Sequence, residues 1–143
     1  MSRLFPAIER ILLTLWVGSL WVTGFMVAPL LFTTLDDRSL AGTLAGNLFV
    51  ITAWLGLACG AVLLASRIRS GGGWRAWVIA AMLVLVCIGQ FALTPMIAEL
   101  RATGMTDTPD FARLHGLASG LFVLTALLGL WLVAAGQGRR ISD

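Results

Sequence analysis

Polar side chains are scarce in the apolar stretches of this sequence, and they gather toward one end of those stretches. Thr23, Asn47, Gln90, Thr94 and Ser119 all fall there. Gln90 and Thr94 stand at i and i+4, on one face if the segment is helical. Arg38, Arg101 and Arg113 mix with Glu99, Asp107 and Asp110 in the adjoining polar stretches. His115, the single histidine, follows closely and has Ser119 one turn later. Together Gln90, Arg101, Arg113 and His115 form a candidate polar site for a small solute or a metal ion. The bland reading of the same residues is interhelical hydrogen bonding, worth only about 0.6 kcal/mol on average in membranes, plus a solvated charged loop.

His115 has three readings: a hydrogen-bonding or gating residue, a structural cap, or a metal ligand helped by Met96, Met105 or Glu99. Thioether and imidazole ligands suit copper(I) better than hard cations. One histidine supplies neither a bis-imidazole haem site nor a typical zinc site within one chain. The metal is therefore left unknown, and no cofactor is expected. No nucleophile–base pair, P-loop, CxxC or HExxH occurs in the sequence, so no enzyme is expected.

The elements that must hold these residues follow from composition. Of 143 residues, 59% are hydrophobic and 12% charged, with a mean hydropathy of +0.94. Soluble domains carry roughly 25% charged residues, twice this supply. A soluble single-domain enzyme and a disordered chain are both excluded. The basic residues are all arginine, and they form no basic face on a polar helix, so nucleic acid is not an expected partner. Cys59 and Cys87 lie inside apolar runs and read as packed thiols rather than a disulfide.

Four apolar segments approach the ~20 residues that cross a bilayer. They span 11–35, 44–66, 74–97 and 114–135 of one membrane domain over 1–143. Helices are expected, since strands of a barrel would alternate apolar and polar residues. The first segment exceeds a signal-peptide core and is read as a retained helix. Thr108-Pro109-Asp110 reads as a helix start, with Thr108 as N-cap and Pro109 at the first position. Arg3, Arg10, Arg67, Arg69, Arg75, Arg139 and Arg140 share the side of both termini, against Arg38, Arg101 and Arg113 opposite. The positive-inside rule then sets both termini in the cytoplasm, with Trp74, Trp77 and Trp131 at that interface.

Ala45–Leu57 reads AGNLFVITAWLGL and Ala118–Leu130 reads ASGLFVLTALLGL, which pairs Phe49 with Phe122, Thr52 with Thr125 and Gly56 with Gly129. Pro29 and Pro95 mark matching places in segments one and three. Two parallel helical hairpins are the expected architecture, the second with a longer outer loop. Gly42/Gly46, Gly56/Gly60 and Gly116/Gly120 are GxxxG pairs that let helices approach closely. They serve either packing within the bundle, which is favoured because four helices already supply partners, or a seam for a homo-oligomer or other membrane helices.

Three stretches carry a family resemblance: GSLWVTGFMVAPLLFTTL, QFALTPMIAELR and FARLHGLASGLF. They resemble the transmembrane-protein-205-like family, whose bacterial members carry a domain of unknown function numbered 4149. The resemblance implies a small four-helix membrane protein without an established activity. Its family-like positions are Gly24, Ala28, Pro29, Gln90, Pro95, Arg101, Arg113, Leu114 and His115. A looser likeness is to four-helix copper-resistance membrane proteins. The expected molecule is an all-α, multi-pass four-helix bundle of the bacterial inner membrane, in contact with the lipid bilayer. Its expected role is to handle a small solute or metal ion at an outward-facing polar site. The alternative is a structural or assembly partner for other membrane proteins.

Overall fold

The computed structural model describes residues 4–135, in four helices joined by three short connections. Arg3, Arg139 and Arg140 lie outside the described residues. Helix α1 is α-helical over Leu4–Trp21, π-helical over Val22–Val27, and α-helical again over Ala28–Thr34. Helix α2 runs over Arg38–Arg69. Helix α3 has the same three-part form as α1, with Trp74–Ile88, a π-helical Gly89–Leu93 and Thr94–Ala102. Helix α4 covers Pro109–Ala135. All four are long and apolar enough to cross a membrane. At 1.5 Å per residue the 32-residue α2 extends about 48 Å, so its ends outreach the ~30 Å of hydrocarbon.

The helix starts follow capping chemistry. Asp37 Oδ1 accepts from the backbone N–H groups of Ser39 and Leu40 at 2.8 and 3.1 Å, which starts α2 at Arg38, earlier than the apolar run implies. Thr108 Oγ1 accepts from the N–H of Phe111 at 3.3 Å, and Pro109 occupies the first turn of α4 as the sequence predicts. The α2–α3 connection needs glycine. Gly71, Gly72 and Gly73 have φ of 93°, 73° and 85°, a run that side chains would strain.

Each helix packs beside the next in sequence, and α4 closes against α1. Glu9 of α1 meets Arg67 of α2, and Arg75 of α3 reaches Leu132 of α4. Residues near both described termini therefore share one end of the bundle, here the terminal end. Trp74 and Trp131 also meet there, with ring centroids 4.9 Å apart. The opposite, distal end carries the α1–α2 and α3–α4 connections. Leu30, Ile51, Val84 and Leu127 illustrate the exposed apolar side chains on every helix, a surface suited to acyl chains rather than water.

The internal repeat is visible in the packing. Trp16 and Met82 each lie thirteen residues before their proline, Pro29 or Pro95. Both are fully buried. Trp16 packs into the space at Gly56, and Met82 packs against Gly129, the repeat partner of Gly56. A Cβ added at Gly129 would stand 2.8 Å from Val17 and 3.2 Å from Met82. Phe49 and Phe122, also repeat partners, meet edge-to-face at 4.9 Å.

The two π-helical stretches occupy matching places, each ending two residues before its proline. Proline lacks an N–H and its ring collides with the carbonyl four residues back, here Phe25 or Phe91. Local widening of the helix relieves that collision without breaking the span. Thr94 Oγ1 donates to the Gly89 carbonyl at 2.9 Å, beside the Thr94 N–H that bonds the same oxygen in the wider π-helical register.

The glycine pairs divide. Gly56 and Gly60 hold Trp16, with a Cβ at Gly60 falling 2.6 Å from Leu83 and 2.8 Å from Trp16. Gly116 and Gly120 are exposed and have nothing within 4 Å of an added Cβ, so this pair is not used within the bundle. Gly60→Leu is expected to destabilise the protein by about 1–3 kcal/mol through overpacking. Gly116→Leu is expected to be near neutral. Unfolding titrations in mixed micelles compare the two, and equal losses would contradict this packing.

Candidate functional site

The four residues singled out from the sequence occupy different surroundings at the distal end. Gln90 lies in the π-helical stretch of α3 and is half-buried. Arg101 is in the last turn of α3, also half-buried. Arg113 is exposed on α4, 3.9 Å from the equally exposed Asp110, a separation at which a surface pair contributes little. His115 is exposed too and stacks its ring on Phe111, with centroids 5.9 Å apart and planes 4° from parallel. Among the described residues no hydrogen bond or ion pair joins any two of the four. No cluster of three His, Cys, Asp or Glu side chains able to hold a metal occurs among the described residues.

Arg101 has the most specific surroundings. Its segment does not end at Ile97, because α3 continues to Ala102 and carries the guanidinium to α2. There it lies over Gly42 and Gly46. A Cβ on Gly42 would be 3.6 Å from Nη2, and one on Gly46 would be 3.3 Å from Nη1. This GxxxG pair therefore makes room for a cation rather than for a helix backbone. Phe32 of α1 flanks the same place, 3.9 Å from the Gly42 Cβ position. The carbonyls of the last turn of α3 are already served, since the Glu99, Leu100 and Arg101 oxygens accept from the N–H groups of Thr103, Met105 and Gly104. The first turn of α2 has its own anion, because Asp37 Oδ1 accepts from the N–H groups of Ser39 and Leu40. No carboxylate pairs with Arg101 among the described residues, and no carbonyl accepts from it.

The terminal end holds a second polar group, whose Arg67 and Arg75 read from the sequence as topology markers while Glu9 is not singled out. Glu9 Oε1 accepts from Ser66 Oγ at 2.6 Å, and Oε2 accepts from Arg67 Nη2. Arg75 Nη2 donates to the Leu132 carbonyl at 3.1 Å, and its guanidinium lies 5.4 Å from the Trp74 ring. These contacts tie α1 to α2 and α3 to α4. They border a cavity of about 40 Å³, also lined by Arg10, Leu13, Leu63 and Ile79. That volume accepts water but not an organic solute. A signal was available, because Glu9 continues the stripe of Leu13, Trp16 and Leu20 toward the core. Arg75 holds the matching place on α3, as each stands twenty residues before its proline.

In comparison with known proteins, the family described as Domain of unknown function (DUF4149) matches residues 11–106. The chain belongs to the DUF4149 family. No curated protein and no solved structure matches it. The matched part of this DUF4149 chain contains Gly42, Gly46, Gln90 and Arg101, together with both π-helical stretches. Arg113, His115, Gly116 and Gly120 lie beyond it.

The terminal group of the DUF4149 chain should be structural. Glu9→Gln is expected to cost about 1.5–3 kcal/mol, the usual range for a hydrogen bond to a charged group. Combined with Arg67→Gln, the loss should fall short of the sum of the two single losses. A double-mutant cycle on unfolding free energies measures this coupling, and strict additivity would contradict the pairing.

Proposed function

We propose that this is a non-catalytic, multi-pass protein of a bacterial inner membrane that receives a small anionic group at its outer end. In this reading the arginine-rich terminal end faces the cytoplasm, following the positive-inside rule. The receiving group is Arg101, at the seam of α2 and α3. One contrast carries the reading. Arg67 and Arg101 are both half-buried arginines among apolar helices, and Arg67 has its carboxylate while Arg101 has none among the described residues. A guanidinium in such surroundings gains strongly from a partner that fits its fork of donors, and carboxylate and phosphate groups do so. The Gly42/Gly46 cradle supports this, because the missing side chains at both positions let the guanidinium come close to α2. The charge also favours an anionic solute over a metal ion. Gln90 lies on the same helix as a neutral donor and acceptor.

The test is binding of phosphate-bearing probes, both inorganic phosphate and phospholipid, to the purified full chain, read by the shift in its thermal unfolding midpoint. Wild type is expected to be stabilised by at least one probe. Arg101→Gln should abolish the shift, and Arg101→Lys should retain part of it. Stabilisation of wild type and Arg101→Gln by the same amount would refute the reading, as would no stabilisation of wild type by either probe.

The assembly reading also has a specific observation behind it. Gly116 and Gly120 are exposed at helical spacing and unused within the bundle. A docked helix would use them for close backbone approach. The Gly116→Leu/Gly120→Leu double variant should then lose oligomer or complex in native gels of mild-detergent extracts while keeping its unfolding midpoint. An unchanged complex pattern would remove this reading.

A further inference from the structure

We infer that the group held by Arg101 is the phosphodiester of a membrane phospholipid, with an acyl chain lying along the α2/α3 seam. This inference rests on the anion reading above and names its ligand. The same two helices that meet at Arg101 also meet at Trp54 and Phe91. These rings pack edge-to-face with centroids 5.9 Å apart. Trp54 is 55% exposed and Phe91 58% exposed, so the pair forms an open apolar surface rather than a piece of core. Trp54 stands eight residues past Gly46, which is about 12 Å further into the membrane along the helix. One seam thus offers a guanidinium at headgroup depth and an aromatic surface at chain depth. Leu40 and Leu44, on the turns of α2 beside the cradle, are exposed and apolar as well. Asn47, next to Gly46, is exposed and has no hydrogen-bond partner among the described residues, and its amide is a second donor for phosphate oxygens.

Charge distribution separates a lipid from a free anion. The polar stretches of this end carry Asp36, Asp37, Glu99, Asp107 and Asp110 against Arg38, Arg101 and Arg113. An anion arriving from water must cross these polar stretches, where acidic side chains outnumber arginines five to three. A phospholipid arrives laterally, with its phosphate already at interfacial depth and its chains held in the bilayer. The geometry therefore favours the lipid as the source of the phosphate.

The test is native mass spectrometry of the full chain in mild detergent, titrated with phosphatidylglycerol. Parallel titrations use diacylglycerol with the same chains and inorganic phosphate. Wild type is expected to hold one phosphatidylglycerol in preference to diacylglycerol. Arg101→Gln should bind it about tenfold more weakly, and Arg101→Lys should fall between. Gly46→Leu, which fills the cradle without touching the charge, should also weaken it. Thermal midpoints without lipid identify any variant that fails to fold, and Arg101→Lys then carries the comparison. Equal binding of diacylglycerol, or no loss in either Arg101 variant, would overturn the lipid assignment. Millimolar inorganic phosphate displacing the lipid would also overturn it while leaving the anion reading standing. Failure of phosphate and lipid alike to bind would remove both.

Discussion

A polar group held among apolar helices must find a partner, because lipid hydrocarbon supplies none. Each unsatisfied group there costs several kcal/mol, comparable to a large part of a domain's stability. The constraint acts first on the backbone, where it makes every span a helix. It also accounts for the form of the interruptions at Pro29 and Pro95. The helix widens into π geometry at each, and the Gly89 carbonyl accepts from both the N–H and the hydroxyl of Thr94. Among side chains, Thr23 and Thr52 hydrogen-bond to each other at 2.9 Å where α1 meets α2. Glu9, Ser66 and Arg67 close their own circuit at the terminal end. Among the fully buried side-chain polar atoms of the described residues, one departs from the rule. The indole N–H of fully buried Trp16 has no acceptor, and its ring packs closely against Gly56 and Gly60.

Against that background Arg101 stands out through its surroundings rather than its charge alone. The two hairpins share proline placement, widened helices, and a large buried side chain set against a glycine. They differ where the repeat pairs Leu35 with Arg101, each six residues after its proline, and Gly42 with His115. A duplicated scaffold thus carries different chemistry on its two sides. Function is better sought where the halves diverge than where packing keeps them alike.

Much of the fold was legible in the sequence, for physical reasons that can be named. Long apolar runs determined the spans, the Thr108–Pro109 start was readable from capping chemistry, and nine identities between residues 45–57 and 118–130 exposed the repeat. The site was less legible because hydropathy locates where a span becomes polar, not where a helix stops. Ending the third segment at Ile97 assigns Arg101 to a loop. The helix in fact continues to Ala102 and brings it against Gly42 and Gly46. Those glycines read as a helix-packing motif, since nothing local reveals that the approaching group is a guanidinium. Glu9 and Arg75 were hidden differently. Arginines near span ends read first as topology markers, and only the stripe of Leu13, Trp16 and Leu20 discloses that Glu9 points inward.

Arg67 draws its partner from within the protein, and in the proposed lipid site Arg101 draws its own from the membrane. Dipolar recoupling between phosphorus-31 and carbon-13-labelled arginine Cζ, in phospholipid bilayers, reads this directly. The expected result is a phosphorus atom about 4–5 Å from Arg101 Cζ, the separation that charge-assisted hydrogen bonds impose, and none at that distance from Arg67 Cζ. Dephasing at Arg67 with none at Arg101 would contradict it.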